Sequence, residues 1–367
     1  MRKTIVMIFF LLAAASLFAD DVTGREYYLK VLVDSKLTYN VASGPVKDPV
    51  SLDLSCAQRD EKKRVVVVDG AKKLVDWNVK PEAQALIDAG EALYAEKKYA
   101  EAGEKYRAAG VADPNAITAF LYYGDTLLLG KQDAAAALEQ FQRALALDTT
   151  LAPGHFFAAN ALAMLGRTRE SQDEVVKALI YRPAYDDLFE VLKDNPRAYG
   201  VRRPLRHRFQ PPPGLVGKKN GNAVDVSTGA NGAWLGYATC KAVWMNEPGF
   251  RREHGVTSDA WSMKEERACI ANELIAEMNS TRTTLVEKLA KVTGRPVTEA
   301  DVVSMLPGSL PHIYEVAKKN MLDGYILFEI LGQRCPIAMS TLGDAEIAQL
   351  ERYIREYIVV PAGADSH

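Results

Sequence analysis

Apolar positions recur at helical spacing through the middle of the chain. In GEALYAEKKYAEAGEKYRAAGVADP, from Gly90 to Pro114, small residues stand among large ones every three or four positions, and a proline closes the run. This period predicts an amphipathic helical hairpin. The same alternation returns twice downstream. AYDDLFEVLKDNPRAYGV then places Leu188, Val191 and Leu192 on one face and ends at Pro196, the pattern of a helix that covers the last hairpin.

The flanks are patterned otherwise. YYLKVLV, VSLDL and KRVVVVDG are short, rich in β-branched or aromatic residues, and separated by Gly, Pro, Asp and Asn. They predict three or four strands between Val22 and Trp77, packed as a small sheet on the first hairpin. KRVVVV should be paired or buried. After Gly229 the helical period resumes in GAWLGYATCKAVWMNEPG, SDAWSMKEERACIANELIAEMNS, TTLVEKLAKVTG and PHIYEVAKKNMLDGYILFEILGQRC. DAEIAQLERYIREYIVV closes the chain with Ile347, Leu350, Tyr353, Ile354 and Ile358 on one stripe. The expected class is mainly α.

The three central hairpins are copies of one unit. Gly90 to Gly124 is 34 positions and Gly124 to Ala159 is 35; Ala102 to Ala137 is 35 and Ala137 to Ser171 is 34. One extra residue between Gly124 and Ala137 accounts for all four spacings, and it belongs in the turn around Gly130–Asp133. The slots are Leu86, Ala89, Gly90 and Leu93, then Ala102 and Tyr106, then Pro114. Phe120, Tyr123, Gly124 and Leu127 repeat the first set, with Ala137, Phe141 and Thr149 after them. His155, Ala158, Ala159 and Leu162 form the third, followed by Ser171, Val175 and Pro183. Small residues let two helices approach, and large ones fill the space between hairpins. On these residues the segment from about Pro81 to Pro183 resembles the tetratricopeptide repeat (TPR) family. The second copy lacks the proline, and the third has Ser171 where alanine is usual.

The resemblance implies a concave groove lined by the first helix of each repeat, which holds an extended peptide or partner helix. It places Ile87, Glu91 and Tyr94, then Leu121, Asp125 and Leu128, then Phe156, Asn160 and Met164 there. Members that clamp a C-terminal carboxylate use lysine, arginine and asparagine at these slots. Here only Asn160 matches, and Glu91 and Asp125 carry the opposite charge. The groove is therefore expected to take a protein or peptide with an apolar segment, a basic residue being admissible. The alternative is a groove filled by the chain itself.

Composition narrows the setting. The 367 residues are 48% apolar and 25% charged with a net charge of −2, which argues against nucleic acid as partner. Arg2-Lys3, the apolar run Ile5–Phe18 and Ala19 before Asp20-Asp21 read as a signal peptide; an uncleaved anchor is the alternative. Export to the periplasm or beyond follows. The expected organisation is a leader at 1–19, a β-rich segment at 20–80, and three TPR-like repeats with a capping helix at 81–196. A basic Pro/Gly-rich linker at 197–228 and an all-α C-terminal domain at 229–367 complete it. In the linker, Arg202, Arg203, Arg206 and Arg208 read as solvated charges, with contact to an anionic surface as the functional alternative.

Candidate chemistry is sparse. Of four cysteines, Cys240, Cys269 and Cys335 lie in the last third and are the candidates for one bridge in an oxidising compartment; buried thiols are the alternative. No C-x-x-C or H-E-x-x-H pattern is present, so no metal and no cofactor is expected. A Cys–His pair drawn from those cysteines with His254 or His312 lacks any local signature. His155 occupies a packing slot. The expected function is an exported, non-catalytic interaction or assembly module. The alternative is a hydrolase of envelope polymers with its site in the C-terminal domain, which a cluster of acidic residues in a cleft there would favour.

Overall fold

The computed structural model describes residues 25–44, 46–49, 63–204, 211, 214–227, 234–258 and 261–361. The expected leader, VSLDL, Cys56, Arg206 and Arg208 lie outside the described residues.

In chain order, helix α1 (Arg25–Asp34) and strand β1 (Thr38–Ala42) precede a hairpin of β2 (Lys63–Val68) and β3 (Ala71–Asp76). Six helices follow in pairs: α2 (Pro81–Ala95) with α3 (Tyr99–Ala112), α4 (Ile117–Thr126) with α5 (Ala134–Leu147), and α6 (Ala152–Met164) with α7 (Thr168–Tyr181). Helix α8 (Asp186–Asp194), a 3-10 turn (Pro196–Tyr199), β4 (Val201–Pro204) and β5 (Ala223–Ser227) come next. Then come α9 (Leu235–Asn246), α10 (Phe250–Glu253), α11 (Met263–Thr293), α12 (Glu299–Ser304), α13 (Leu310–Lys318) and α14 (Leu322–Tyr325). A π-helical stretch (Ile326–Leu331) leads to α15 (Gly332–Arg334), α16 (Pro336–Met339) and α17 (Asp344–Tyr353). A second π-helical stretch (Ile354–Ile358) ends in β6 (Val359–Pro361). The chain is mainly α, as its patterning predicts.

These elements form two compact units, each made of two stretches of chain. One holds the described residues of 1–54 and 208–326; the other holds those of 55–207 and 327–367. The expected 20–80 segment and 229–367 domain are thus each divided, because their pairings are long-range. In the first unit β1 runs parallel to β5, from Thr38 opposite Ala223 to Ala42 opposite Ser227. YYLKVLV is helical there, contrary to the strand expected. Its Tyr28 is buried, accepts a 3.1 Å hydrogen bond from the Trp244 indole N–H, and lies 6.3 Å from the Phe250 ring. That one packed aromatic face outweighs the weak strand preference of the segment. Helix α9 packs along α11, whose Glu273 accepts the backbone N–H groups of Trp234 and Tyr237 at 2.8 Å each and so satisfies the start of α9.

The second unit is built on the three helical pairs. A Cβ added to Gly90 would stand 2.5 Å from the Tyr106 ring, and one added to Gly124 would stand 2.4 Å from the Phe141 ring. In the third pair the large partner shrinks to Val175 and the small slot grows to Ala159, both buried. Ser171, the departure from alanine, donates its hydroxyl to the Ala159 carbonyl at 2.9 Å and is satisfied within the hairpin. The extra residue of the second repeat is absorbed where the spacing puts it. Helix α4 ends in a π-helical turn at Leu127–Lys131, Gln132 takes φ 52°, and Asp133 accepts the Ala136 N–H at 3.0 Å. A π turn holds one residue more than an α turn.

The third-repeat end of the array is covered within this unit. The β2–β3 hairpin joins at the loop between the second and third repeats rather than on the first. There the Val65 N–H donates to the buried Asp148 at 2.8 Å. At the end after the third repeat Leu188 and Leu192 of α8 are fully buried. The 327–361 stretch packs on α7, with Arg355 paired to Asp173 at 2.9 Å and Gly332 so close to Pro183 that a Cβ would stand 2.5 Å away. In that layer Glu329 is buried and accepts the Tyr353 hydroxyl at 3.0 Å. Burial raises its carboxyl from the ordinary 4.5 to about 8.

Two outcomes follow for stability. Gly124→Ala should lower it by about 1–3 kcal/mol through overpacking against Phe141. Adding Phe141→Val should make the double variant more stable than the two single losses predict, as read by urea unfolding. For Glu329, both states hold the proton below about pH 4.5, and only the unfolded chain has lost it between there and about pH 8. Stability therefore falls as pH rises through that window, by roughly 1.4 kcal/mol for each unit of the shift. Glu329→Gln cannot ionise, so its thermal midpoint relative to the parent should climb steadily from pH 5 to pH 8.

Candidate binding groove

The groove begins where α2 and α4 stand side by side. Tyr94, near the end of α2, donates its hydroxyl to Asp125 of α4 at 2.6 Å and meets the Tyr99 ring edge-on at 5.2 Å. Tyr106 of α3 lies 5.3 Å from the Tyr122 ring, also edge-on. With Phe157 of α6, the rings of Tyr94, Tyr106 and Tyr122 wall a cavity of about 380 Å³ whose lining also includes Glu91 and Asp125. Burial raises the Asp125 carboxyl, and the bond from Tyr94 opposes that shift. Burial, then the negative fields of Glu91 and Asp125, push the Tyr106 hydroxyl up to about 12. Tyr94 is raised by burial and by its bond to Asp125. The cavity is therefore apolar at its walls and negative in potential.

Of the nine residues expected to line the groove, Glu91, Tyr94 and Asp125 meet here. Ile87 instead packs in the core of the first hairpin with Ala83, Ala102 and Tyr106. Leu121 and Leu128 belong to the core of the second. These are corrections to the expected lining. Helix α4 packs against α3, α5 and α6, which consumes its apolar stripe, and the π-helical turn leaves Leu129, not Leu128, half exposed. Phe156 is buried against Phe157 and Tyr185, at 5.7 and 5.2 Å between ring centroids. Asn160 accepts the Tyr199 hydroxyl at 2.8 Å, and Met164 is exposed. The chain itself thus covers Phe156 and Asn160 of the third repeat with Tyr185 and Tyr199, while among the described residues the share of the first two repeats stays open.

The signal for Tyr122 and Phe157 lay in aromatic doublets. Tyr122-Tyr123 and Phe156-Phe157 put two rings about 100° apart on one helix, so that each helix can serve two surfaces. Two loop carboxylates were also missed. Asp113 and Asp148 occupy the same place after successive hairpins and are buried. Asp113 accepts the N–H groups of Lys80 and Asn115 at 3.0 Å each, and Asp148 accepts those of Val65 and Thr150 at 2.8 and 2.9 Å.

The other candidates are packed into structure. His155 is buried, 2.5 Å from Glu174 and 2.9 Å from the Thr149 carbonyl. His254 stacks on Phe250 at 4.1 Å between ring centroids. Cys335 is disulfide-bonded, but Cys240 and Cys269 are free and buried, so the bridge expected within this trio does not form. The Cys240 and Cys269 thiols touch across the α9–α11 contact. Burial, then that contact, raises Cys269 well above the ordinary thiol range, the opposite of nucleophile activation. Glu265 and Glu266 of α11 are equally enclosed. Glu265 accepts from Arg251 at 2.6 Å, and Glu266 accepts from the Tyr237 hydroxyl and the Trp261 indole at 2.7 and 2.6 Å. Among the described residues no cluster has the makeup of a metal site, and no helix is long and apolar enough to cross a membrane. Arg202 and Arg203 fall on β4.

No family model matches the chain, and no curated protein matches it. Among solved structures it is similar to the first TPR domain of human RPAP3. The identity is 20%, over 32% of this chain and 91% of that one, with a TM-score of 0.31. It is similar also to the first TPR of Spaghetti (RPAP3) bound to the HSP90 peptide SRMEEVD, at 20% identity over 32% of this chain and 92% of that one, TM-score 0.30.

Thiol mapping checks the enclosed pair. A maleimide pulse on the folded protein should leave Cys240 and Cys269 unlabelled by peptide mass spectrometry, and denaturation should label both. Labelling in the folded state would show that α9 and α11 open.

Proposed function

We propose that this is an exported interaction module that holds a peptide or helix of a protein partner in the open part of its repeat groove, without catalysis. One observation carries the reading. Among the described residues the first two repeats leave an aromatic-walled cavity open between α2 and α4, while Tyr185 and Tyr199 cover Phe156 and Asn160 of the third. A preformed concave surface of this kind binds at little cost in ordering. Export is read from the N-terminal sequence pattern. Against the hydrolase alternative, Glu265, Glu266 and Glu273 of α11 are buried and engaged by donors.

The test is site-specific crosslinking in the native envelope. A photoreactive residue replacing the exposed lining residue Ala95 should capture a discrete partner. The same probe at Val111, exposed on α3 and outside the cavity lining, should not. Tyr122→Ala should abolish the Ala95 adduct while far-UV circular dichroism stays unchanged. Equal capture from both positions, or an adduct indifferent to Tyr122→Ala, would move the working surface elsewhere.

A further inference from the structure

The cavity between the first two repeats has a chemistry of its own. Its volume of about 380 Å³ lies at the small end of ligand pockets and suits one side chain rather than a folded element. Its lining holds two carboxylates and, among the described residues, no lysine or arginine. Lys98, close by in sequence, is paired with Glu96 at 2.8 Å. Tyr94 engages one oxygen of Asp125, which fixes that carboxylate and leaves its second oxygen to accept from a ligand.

We propose that this cavity takes the lysine or arginine side chain of a partner peptide, its aliphatic stem against Tyr94, Tyr106, Tyr122 and Phe157 and its charge toward Glu91 and Asp125. The inference rests on the groove being the working surface, and it names what that surface selects. An anionic side chain meets two like charges and is rejected. A neutral apolar one strips water from Asp125 and returns no hydrogen bond, which costs free energy. A cation gains on every count. The rings attract it, the carboxylates neutralise it, and its charge offsets the rise that burial gives the Asp125 carboxyl. Glu91 is exposed at the mouth and Asp125 lies deeper, so the carboxylates mark an entry and a seat.

The experiment uses the full chain, fluorescently labelled, on heptapeptide libraries that differ only in a fixed central residue. Lysine- and arginine-centred libraries should retain roughly tenfold more protein than the norleucine- and citrulline-centred ones, the scale of a desolvated cation on aromatic rings. Glutamate-centred libraries should retain least. The double variant Glu91→Gln, Asp125→Asn keeps the shape of the cavity and an acceptor for Tyr94. It should lose the preference for the charged centres, so that retention on the lysine- and norleucine-centred libraries becomes equal. Glu91→Gln alone, at an exposed position, should weaken the preference severalfold, and it serves if the double variant fails to fold. Equal retention on lysine and norleucine centres, a preference that survives the double variant, or no retention on any library would each overturn the proposal. Crosslinking from position 95 decides separately whether the groove works at all. A partner captured there alongside indifferent libraries would sink the cationic pocket and leave the interaction module standing.

Discussion

The second unit depends on one steric constraint, the pairing of a small residue on the first helix of each hairpin with a larger one on the second. Gly90 with Tyr106 and Gly124 with Phe141 leave no room for even a methyl group. In the third pair the small partner is larger, Ala159, and the large partner smaller, Val175, and both are buried. Exchange in such compensating directions is what close packing tolerates. The pairing sets how near the two helices of a hairpin come, and that distance sets how the next hairpin can stack. The ring of Tyr106 does double duty: one part fills the space over Gly90 and another lines the cavity. The groove is therefore a by-product of how the repeats pack, and its aromatic character comes from the residues that hold the array together.

A stack of hairpins has ends, and its ends need covering. Helix α8 supplies one layer of that cover, as its pattern of leucines predicts. The 327–361 stretch supplies another, through Arg355, Gly332 and the neighbourhood of Glu329. Tyr185 and Tyr199 come with this cover and lie over Phe156 and Asn160. Capping the array thus shortens the open groove. Among the described residues both readings of that groove hold in part: the chain covers Phe156 and Asn160 of the third repeat, and the cavity of the first two is open.

Legibility followed locality. The slots Gly90, Gly124, Ala159 and their partners are separated by fixed distances along the chain, so counting found them, and counting also placed the extra residue between Gly124 and Ala137, the stretch that holds the π-helical turn at Leu127–Lys131. Asp113 and Asp148 were equally countable at 35 positions apart. They escaped because an acid in a loop carries no packing signal until its N–H partners are known. What failed was non-local. YYLKVLV has strand-like composition, but Tyr28 is held by Trp244, 216 residues away. β1 finds its partner in β5, 185 residues on, at Thr38 and Ala223. Neither pairing leaves a trace in the period of the segment itself. Cys335 shows the same limit. Three cysteines in the last third of the chain suggested a bridge among themselves, yet two of them remain free thiols.

The candidate site was half legible for a related reason. Glu91, Tyr94 and Asp125 were reachable because the repeat pattern says which positions of the first helix turn outward. Ile87, Leu121 and Leu128 fall at equivalent positions but are apolar, and an apolar residue at such a position is drawn into whichever neighbouring surface can bury it. A polar or charged residue resists that pull, since burial without a partner costs it several kcal/mol on the scale of a lost charge-assisted bond. Outward-facing slots in a repeat array are therefore most reliably assigned where they are polar. That is why the part of the groove that could be foreseen is also the part that carries its charge.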